Sequence, residues 1–318
     1  MTSKSHKPTP AGILVIPLVV GVILTLFAWP SARLEPRDLP IGVAGAPAGA
    51  QALEQRLEAQ EGAFEVHRYA DEAAAREAIE DREVYGAFVA TPDGAKVLTA
   101  SAGSSAVAQL LTHAASEVPG GGATVEDVAP ASTQAAALPS SVLPLMIAGI
   151  LIGVAAALMT ASALGRIGLV AIGSILGGLV ATAILQSWLD VVGGSWAANA
   201  AALSLTIAAI AAVMCGLKAC FGDGAAIAGA LILVLIANPF SGVGSAPELL
   251  PEPVGGIGQL MPPGAGGNLL RSTGFFDGAG AGGHVLVLAV WALAGVALLL
   301  AAGARSQRVA GARMPAAA

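Results

Sequence analysis

The stretch from Leu138 to Phe240 constrains the fold of this chain more than any other part of it. Apolar residues fill it, broken only by short polar seams at Gly165-Arg166, at 188–196 and at 218–223. A helix needs roughly 20 apolar residues to cross the ~30 Å hydrocarbon core of a bilayer, so the stretch has room for four crossings. A soluble helix keeps a polar face, which these runs lack. The stretch therefore predicts a bundle of membrane helices.

The overall composition agrees with a membrane protein. Hydrophobic residues make up 55% of the chain, charged residues only 11%, and mean hydropathy is +0.76, values typical of membrane proteins. The 41 glycines favour close helix packing, because lipid supplies no hydrophobic drive for helix association. The pairs Gly149/Gly153 and Gly173/Gly177 have GxxxG spacing, which predicts packing within one bundle, with a dimer interface as the alternative.

Two more apolar runs flank the central stretch. The first follows a short N-terminus, residues 1–9, and we predict that it is a retained first transmembrane helix. A signal peptide is the alternative, but the run is long for one and Trp29-Pro30 is a poor cleavage site. The last five helices form a transmembrane domain, 139–304, with an outer, re-entrant-like loop at 238–283, and a tail follows at 305–318. The six predicted spans are 10–30, 139–164, 167–185, 197–217, 224–237 and 285–304.

Residues 31–138 have the character of a soluble domain and hold most of the acidic residues of the chain. Short runs between turn signals predict strands, with clear apolar alternation at 64–69, and helical spacing of apolar residues predicts helices between them. Asp71 and either Ser104 or Ser105 are predicted helix N-caps. The carboxylates from Glu72 to Glu83 predict a solvated helix face, with a cation or partner site as the minor alternative. The predicted strands are 39–45, 64–69, 84–90, 96–100 and 124–128, and the predicted helices are 48–60, 71–81 and 105–117.

Basic residues predict the orientation. When six spans alternate, seven of the eight basic residues outside the acidic domain fall on one side, which the positive-inside rule assigns to the cytoplasm; the eighth, Arg271, lies in the outer loop. Trp29, Trp188 and Trp196 then lie near the opposite face, where an aromatic belt is expected. We therefore predict a polytopic α-helical protein of the cell membrane, with six transmembrane helices, both termini cytoplasmic and a small extracytoplasmic α/β domain inserted after the first helix. The basic residues on the inner side are Lys4, Lys7, Arg166, Lys218, Arg305, Arg308 and Arg313.

No motif for catalysis, cofactor binding or metal binding stands out in the sequence. A phosphate-binding loop of an ATPase ends in Lys-Ser or Lys-Thr, and none of the four lysines has that context. The predicted spans contain no carboxylate, which disfavours a transporter coupled to protons or sodium. We predict that the chain is not an enzyme, has no cofactor or metal site of its own, and does not bind nucleic acid. His67, His113 and His284 are scattered and are predicted to have surface roles. Cys215 and Cys220 are predicted to be reduced cytoplasmic thiols.

Two parts of the chain resemble the membrane subunits of type 2 ABC exporters, in particular the phage-infection-protein-like branch, which carries a large ectodomain between its first two spans. The first part contains Leu39-Pro-Ile-Gly-Val-Ala, Gly62-Ala-Phe-Glu-Val and the run 71–90. The second contains Asn238-Pro-Phe-Ser-Gly and Gln259-Leu-Met-Pro-Pro-Gly-Ala-Gly-Gly-Asn.

The resemblance implies a permease subunit of an ABC-type exporter, powered by a separate ATPase subunit. It also implies a homodimer, or a heterodimer with a homologous permease, in contact with membrane lipid. The apolar spans suggest an amphiphilic or lipid-like substrate, moved out of the cytoplasm or the membrane. The short inner seams leave an alternative, a non-transporting membrane protein whose acidic outer domain binds envelope components or a partner protein.

The segment 238–283 is the candidate site. It is too apolar for an ordinary loop and too broken for one helix, and irregular backbone at membrane depth needs protein or a wet cavity around it. We predict an outer gate over the exit path, with a surface cap as an equal alternative. Arg166 and Lys218 are the predicted cytoplasmic contacts. The predicted gate or pathway residues are Asn238, Pro239, Pro262, Pro263, Gly264 and Arg271.

Overall fold

The computed structural model describes residues 10–92, 94–117 and 122–312. Lys4, Lys7 and Arg313, three of the basic residues predicted to lie on the inner side, are outside the described residues. The helices are α1 (Pro10–Ser31), α2 (Pro47–Glu58), α3 (Glu72–Glu80), α4 (Ser105–Ser116), α5 (Leu138–Met159), α6 (Ala163–Thr182), α7 (Trp196–Phe221), α8 (Asp223–Ile232), α9 (Val254–Gln259), α10 (Pro262–Phe275) and α11 (Ala281–Ala312). The strands are β1 (Leu39–Gly45), β2 (Phe64–Arg68), β3 (Gly86–Thr91), β4 (Gly94–Thr99) and β5 (Thr124–Asp127).

The five strands form one sheet in the order β2-β1-β3-β4-β5. β1 pairs in parallel with β2 and β3, and β4 in parallel with β5, whereas β3 and β4 are antiparallel. The Asp71 carboxylate accepts a hydrogen bond from the amide of Ala74 at 2.9 Å, and the Ser104 hydroxyl accepts one from Val107 at 3.2 Å. Both predicted N-caps are confirmed, because these bonds satisfy otherwise unpaired amides of the first helical turn. We call residues 39–127 the sheet unit.

Apolar side chains cover both faces of the sheet. Alternation along β1 sends Ile41 and Val43 to one face, with α2 and α4, and Ala44 to the other, with α3. Each cluster also contains a residue that lies far along the chain. Leu249 enters the first cluster and Phe276 enters the second. The segment 238–283 therefore shares the hydrophobic core of the sheet unit on both faces.

Helix α7 is the centre of the bundle. It is 67% buried over its most apolar window, against 22–28% for the other three long apolar helices, and α5, α6, α8, α10 and α11 all pack on it. Its interior positions are mostly small residues, so neighbouring backbones approach closely. Gly153 of α5 packs on Ala211, and Gly295 of α11 on Ala212.

Within the residues that the structure describes, four helical stretches are long and apolar enough to cross a membrane: Thr133–Met159, Ala163–Trp188, Trp196–Phe221 and Ala281–Arg305. They correspond to the second, third, fourth and sixth predicted spans. The first and fifth correspond to shorter apolar helices, Val15–Ser31 and Asp223–Ala237. The protein is thus helical and membrane-like with four candidate spans, and the count of six stays a prediction.

The predicted seam at Gly165-Arg166 is wrong. Helix α5 ends at Met159, and Gly165 and Arg166 lie in the first turn of α6. The reason is a local cap: the Ser162 hydroxyl accepts a hydrogen bond from the amide of Gly165 at 3.0 Å, so α6 begins at Ala163, four residues before the predicted start at Ile167.

Both GxxxG pairs face neighbouring helices of the same bundle. Gly149 and Gly153 pack against Ile210 and Ala211 of α7, and Gly173 packs against Ile152 of α5. The prediction that they serve packing within one bundle is confirmed.

Replacing Gly153 by alanine is expected to destabilise the bundle, because the added Cβ would lie 2.4 Å from the carbonyl oxygen of Ala211. Overpacking of this kind costs about 1–3 kcal/mol. Gly168→Ala is the matched control, since its Cβ meets nothing within 4 Å. Thermal unfolding of the purified protein in detergent should show a lower Tm for Gly153→Ala alone. Equal Tm values for both variants would contradict the packing described here.

Replacing Leu249 by alanine is expected to loosen the sheet unit and the segment 238–283 together. Leu249 is 3% exposed, and truncating a buried leucine costs about 2–5 kcal/mol. Leu260, in the same segment, is 64% exposed, so Leu260→Ala should leave stability almost unchanged. Hydrogen exchange on the full chain should show faster exchange in both regions for Leu249→Ala. Faster exchange confined to the segment would mean that the shared core is unimportant for the sheet unit.

Candidate functional site

The segment 238–283 lies between the sheet unit and the bundle and contacts both. Leu249 enters the core on one face of the sheet. The chain then returns to the bundle, where Met261 packs with Met214 of α7. Helix α10 runs back along α7 until Phe276 enters the core on the second sheet face. The segment therefore passes from the sheet unit into the bundle and back again.

Five of the six predicted gate residues lie at the bundle end of this path. Asn238 and Pro239 follow the π-helical turn that ends α8, and both are half-buried. Pro262, Pro263 and Gly264 form the buried first turn of α10.

Helix α9 fills the space between these two groups. A Cβ at Gly258 would lie 1.6 Å from the carbonyl oxygen of Phe240, and one at Gly264 would lie 2.2 Å from the carbonyl oxygen of Gly258. Only glycine permits such approaches of one backbone to another. The predicted residues therefore form one closely packed layer, except for Arg271, which lies further along α10.

Arg271 is 7% exposed and is held by oxygen atoms of neutral groups. Its guanidinium donates to the side-chain oxygen of Asn268 at 3.1 Å and to the carbonyl of Val243 at 3.0 Å. The Asn268 amide donates to Gln259 at 2.7 Å, and Gln259 donates to the carbonyl of Ser241 at 2.8 Å. This chain of hydrogen bonds ties α10 to the start of the segment.

Arg82 reaches the same asparagine from the sheet unit. It follows α3 with φ at 62°, a left-handed conformation that non-glycine residues adopt rarely. Its guanidinium donates to the carbonyl of Asn268 at 3.1 Å, to the side-chain oxygen of Asn268 at 3.2 Å and to the hydroxyl of Ser272. It also stacks over the ring of Phe276, 5.3 Å from the centroid. The Asn268 side-chain oxygen therefore accepts hydrogen bonds from both arginines.

A cavity of about 200 Å³ lies beside Arg82, between the sheet unit and α9–α11. Glu248 is the carboxylate in its wall, and it accepts a hydrogen bond from the Tyr85 hydroxyl at 2.8 Å. The polar side chains that line the cavity are Arg82, Tyr85, Glu248, Gln259, Asn268 and His284.

Arg82, Arg271, Asn268 and Glu248 form the junction between the sheet unit and the segment 238–283. This junction carries more positive than negative charge. Among the described residues, neither Arg82 nor Arg271 has a carboxylate within ion-pair distance. Burial lowers the pKa of Arg271 to about 10, and the nearby charge of Arg82 adds to that effect. Burial also lowers the pKa of Arg82, and Tyr85 and Glu248 oppose the shift. Arg271 stays protonated at neutral pH, so two guanidinium groups face one carboxylate.

A second cavity, of about 120 Å³, is apolar. Met261 and Pro262 lie in its wall together with Met214 and Trp291 of the bundle. The Trp291 ring nitrogen donates to the carbonyl of Leu260 at 2.8 Å. The short stretch 259–262 therefore lines both cavities: Gln259 lies in the wall of the charged cavity, and Met261 and Pro262 lie in the wall of the apolar one.

Arg166 and Lys218 lie together at the opposite end of the bundle. Arg166 donates to the carbonyl of Thr160 at 2.9 Å, between α5 and α6. Lys218 pairs with Asp223, between α7 and α8. Gly303 of α11 packs against Ala163 of α6, so the last turns of α11, with Arg305 and Arg308, lie at this end too. These four basic residues therefore share the end of the bundle that is far from the sheet unit.

The acidic face predicted from Glu72 to Glu83 is partly an ion-pair network. Lys96 pairs with Glu72 at 2.6 Å and with Glu126 at 2.7 Å, and Arg76 pairs with both carboxylates. Hydrogen bonds from Lys96 and then Arg76 lower the pKa of Glu126. Throughout the described ranges, no three His, Cys, Asp or Glu side chains come together as metal ligands.

Sequence reasoning missed most of the charged junction. Arg82 lies within the stretch Glu72–Glu83, whose carboxylates predict a solvated face, and His284, for which the sequence predicts a surface role, lines the cavity. One signal was present: Asn268, Arg271 and Ser272 have i, i+3, i+4 spacing, which indicates one polar face of a helix. Nothing in the sequence joins that face to Arg82, which lies 186 positions away from Asn268.

Comparison with known proteins adds one finding. No curated protein and no solved structure matches the chain. Residues 11–137, less than half of the 318, match the family model described as ABC-2 family transporter protein. The similarity therefore covers α1 and the sheet unit and ends just before α5.

Proposed function

We propose that this chain is the permease subunit of an ABC-type exporter, of the phage-infection-protein-like branch of type 2 permeases. The observation that carries the proposal is the match of residues 11–137 to the ABC-2 family transporter model. Four apolar helices of membrane-spanning length support it. The substrate is amphiphilic or lipid-like, and it leaves the cytoplasm or the membrane. A charged cavity and an apolar cavity on either side of residues 259–262 fit a molecule with a polar and an apolar part.

In this proposal the helices α1, α5, α6, α7, α8 with its π-helical turn, and α11 are six spans. The sheet unit lies outside the cell and both termini lie in the cytoplasm. The clustering of Arg166, Lys218, Arg305 and Arg308 at the end far from the sheet unit supports this orientation through the positive-inside rule.

The segment 238–283 is the outer gate in this proposal. Pro262, Pro263 and Gly264 close the outer half of the bundle beside α7, and Asn238 and Pro239 hold the start of the segment against α9. Arg271 anchors α10 to the carbonyl of Val243. The contacts of Leu249 and Phe276 with the sheet unit would couple movement of that unit to movement of the gate.

A separate ATPase subunit supplies the energy and contacts Arg166 and Lys218 at the inner end. The pathway forms when two copies pair, or when this chain pairs with a homologous permease, within membrane lipid. The exposed apolar side chains of α5 and α6, such as Leu151 and Ile172, are available for a partner helix or for lipid.

The orientation predicts the pattern of cysteine labelling on intact cells. In a variant with Cys215 and Cys220 replaced by alanine, Glu77→Cys should react with a membrane-impermeant maleimide, because Glu77 is exposed on α3. Arg308→Cys, exposed on α11, should react only after the cells are permeabilised. A gel mass shift reports the labelling. The reverse pattern would overturn the orientation and the exporter proposal with it.

The inner contact predicts that an ATPase copurifies with the tagged chain from membranes. The captured protein should contain a glycine-rich phosphate loop and hydrolyse ATP, and Arg166→Gln with Lys218→Gln should lower its recovery about tenfold, as expected for lost interface charges. Arg68→Gln, on the half-exposed Arg68 of the sheet unit, is the control and should change nothing. Export of substrate that persists without any such subunit would contradict the proposal. Loss of partner binding on deletion of residues 31–138, with no transport at any stage, would favour the binding protein instead.

A further inference from the structure

We propose that the cavity bounded by Arg82, Asn268 and Glu248 binds a phosphate-type anion, presented either by a lipid headgroup or as free phosphate. This site deepens the proposed function by naming a ligand class, but its occupancy does not depend on export. Binding can be measured on purified protein that has no ATPase and transports nothing.

The charge balance of the cavity is the first argument. Arg82 in the cavity wall and Arg271 behind it, outside the wall, both donate to the side-chain oxygen of Asn268, and Glu248 is the carboxylate in the wall. Buried cations are normally paired with anions, because an uncompensated buried charge is costly. The excess of one positive charge equals the single negative charge of a phosphodiester. A bound phosphodiester would neutralise the junction.

The hydrogen-bond donors of Arg82 are the second argument. Both protons of its Nη1 atom are used, on the carbonyl of Asn268 and on Ser272, and Nη2 makes one bond, to the side-chain oxygen of Asn268. Within the described part of the chain, the Nε proton and the second Nη2 proton have no acceptor. A guanidinium group presents its N–H donors in a planar fork that matches two oxygens of a phosphate. Arg82 lines the cavity, so a ligand there can reach these protons.

The depth of the cavity is the third argument. His284, in its wall, lies in the first turn of the apolar helix α11, and Trp291 lies about two turns deeper along that helix. Trp188 and Trp196 stand at the corresponding ends of two other candidate spans, and tryptophan concentrates at the membrane–water interface. Lipid phosphates occupy this level of a bilayer, and basic pockets between membrane helices bind lipid headgroups.

The test is a binding titration of the purified full chain with three probes. Short-chain phosphatidylglycerol carries the phosphodiester, the neutral diacylglycerol of equal chain length lacks it, and inorganic phosphate lacks the lipid. Native mass spectrometry or calorimetry measures the affinity. We expect binding of phosphatidylglycerol and no comparable binding of diacylglycerol. If millimolar phosphate competes with phosphatidylglycerol, the site also binds the free anion. If phosphate does not compete, the ligand is the lipid headgroup.

Three variants separate a binding role from a structural one. Arg82→Gln should weaken phosphatidylglycerol about ten- to hundredfold, the range that a hydrogen bond to a charged group represents. Arg68→Gln, outside the cavity wall, should not change the affinity. Glu248→Gln keeps an acceptor for the Tyr85 hydroxyl and removes the negative charge that repels an anionic ligand. It should therefore strengthen phosphatidylglycerol binding several-fold. Loss of a merely structural contact would not strengthen binding. Size-exclusion profiles and Tm values confirm that each variant is folded.

Equal affinity for phosphatidylglycerol and diacylglycerol would overturn the proposal. So would unchanged affinity in both Arg82→Gln and Glu248→Gln. If phosphatidylglycerol binds with these dependences but no ATPase copurifies, the site stands and the exporter proposal fails. If the ATPase copurifies but the variants bind phosphatidylglycerol like the parent protein, the exporter proposal stands and the anion site is ruled out.

Discussion

Two apolar side chains from one segment, Leu249 and Phe276, lie in the hydrophobic clusters on opposite faces of the sheet. Burying a side chain of this size contributes about 1.5–3 kcal/mol, and here that contribution requires the segment and the sheet unit to be in place together. The backbone adds to the contact, because the amide of Arg37 donates to the carbonyl of Glu248 at 3.0 Å. The position of every polar group at the junction depends on this shared core.

The shared core explains how two arginines remain so close to each other. Burying a guanidinium without a carboxylate is unfavourable, and neutral oxygens compensate for part of the cost. Asn268 supplies both its carbonyl and its side-chain oxygen to Arg82, and Val243 supplies its carbonyl to Arg271. The two arginines are buried at an electrostatic cost beside a cavity, and Arg82 keeps N–H donors that have no acceptor among the described residues. Such an arrangement is typical of binding sites rather than of sites that only stabilise a fold.

The local features of this chain could be predicted from the sequence, because each depends on neighbours within a few positions. Asp71 and Ser104 are helix caps whose partners lie three residues away, and the short run 39–45 is enough to predict β1. The break between α5 and α6 was misplaced because Gly165-Arg166 is the more obvious interruption, whereas the capping hydroxyl of Ser162 determines where α6 begins. Helix α10 was missed because its glycines lower helix propensity, and at this position they serve packing instead: Gly266 lies against Thr206 of α7.

The candidate site could be predicted only in part, because Arg82 and Asn268 belong to different parts of the chain and meet through tertiary packing alone. That packing also connects the site to the far end of the bundle. Helix α7 contacts α10 at Thr206, where a Cβ on Gly266 would lie 2.4 Å away, and again where Thr273 donates to Asn199 at 2.7 Å. Two such contacts along one helix prevent α10 from sliding over α7 without a steric cost. Because α7 is one continuous helix from Trp196 to Phe221, we expect a rigid displacement of α7 that begins near Lys218 to carry α10, and with it Asn268 and the cavity beside Arg82.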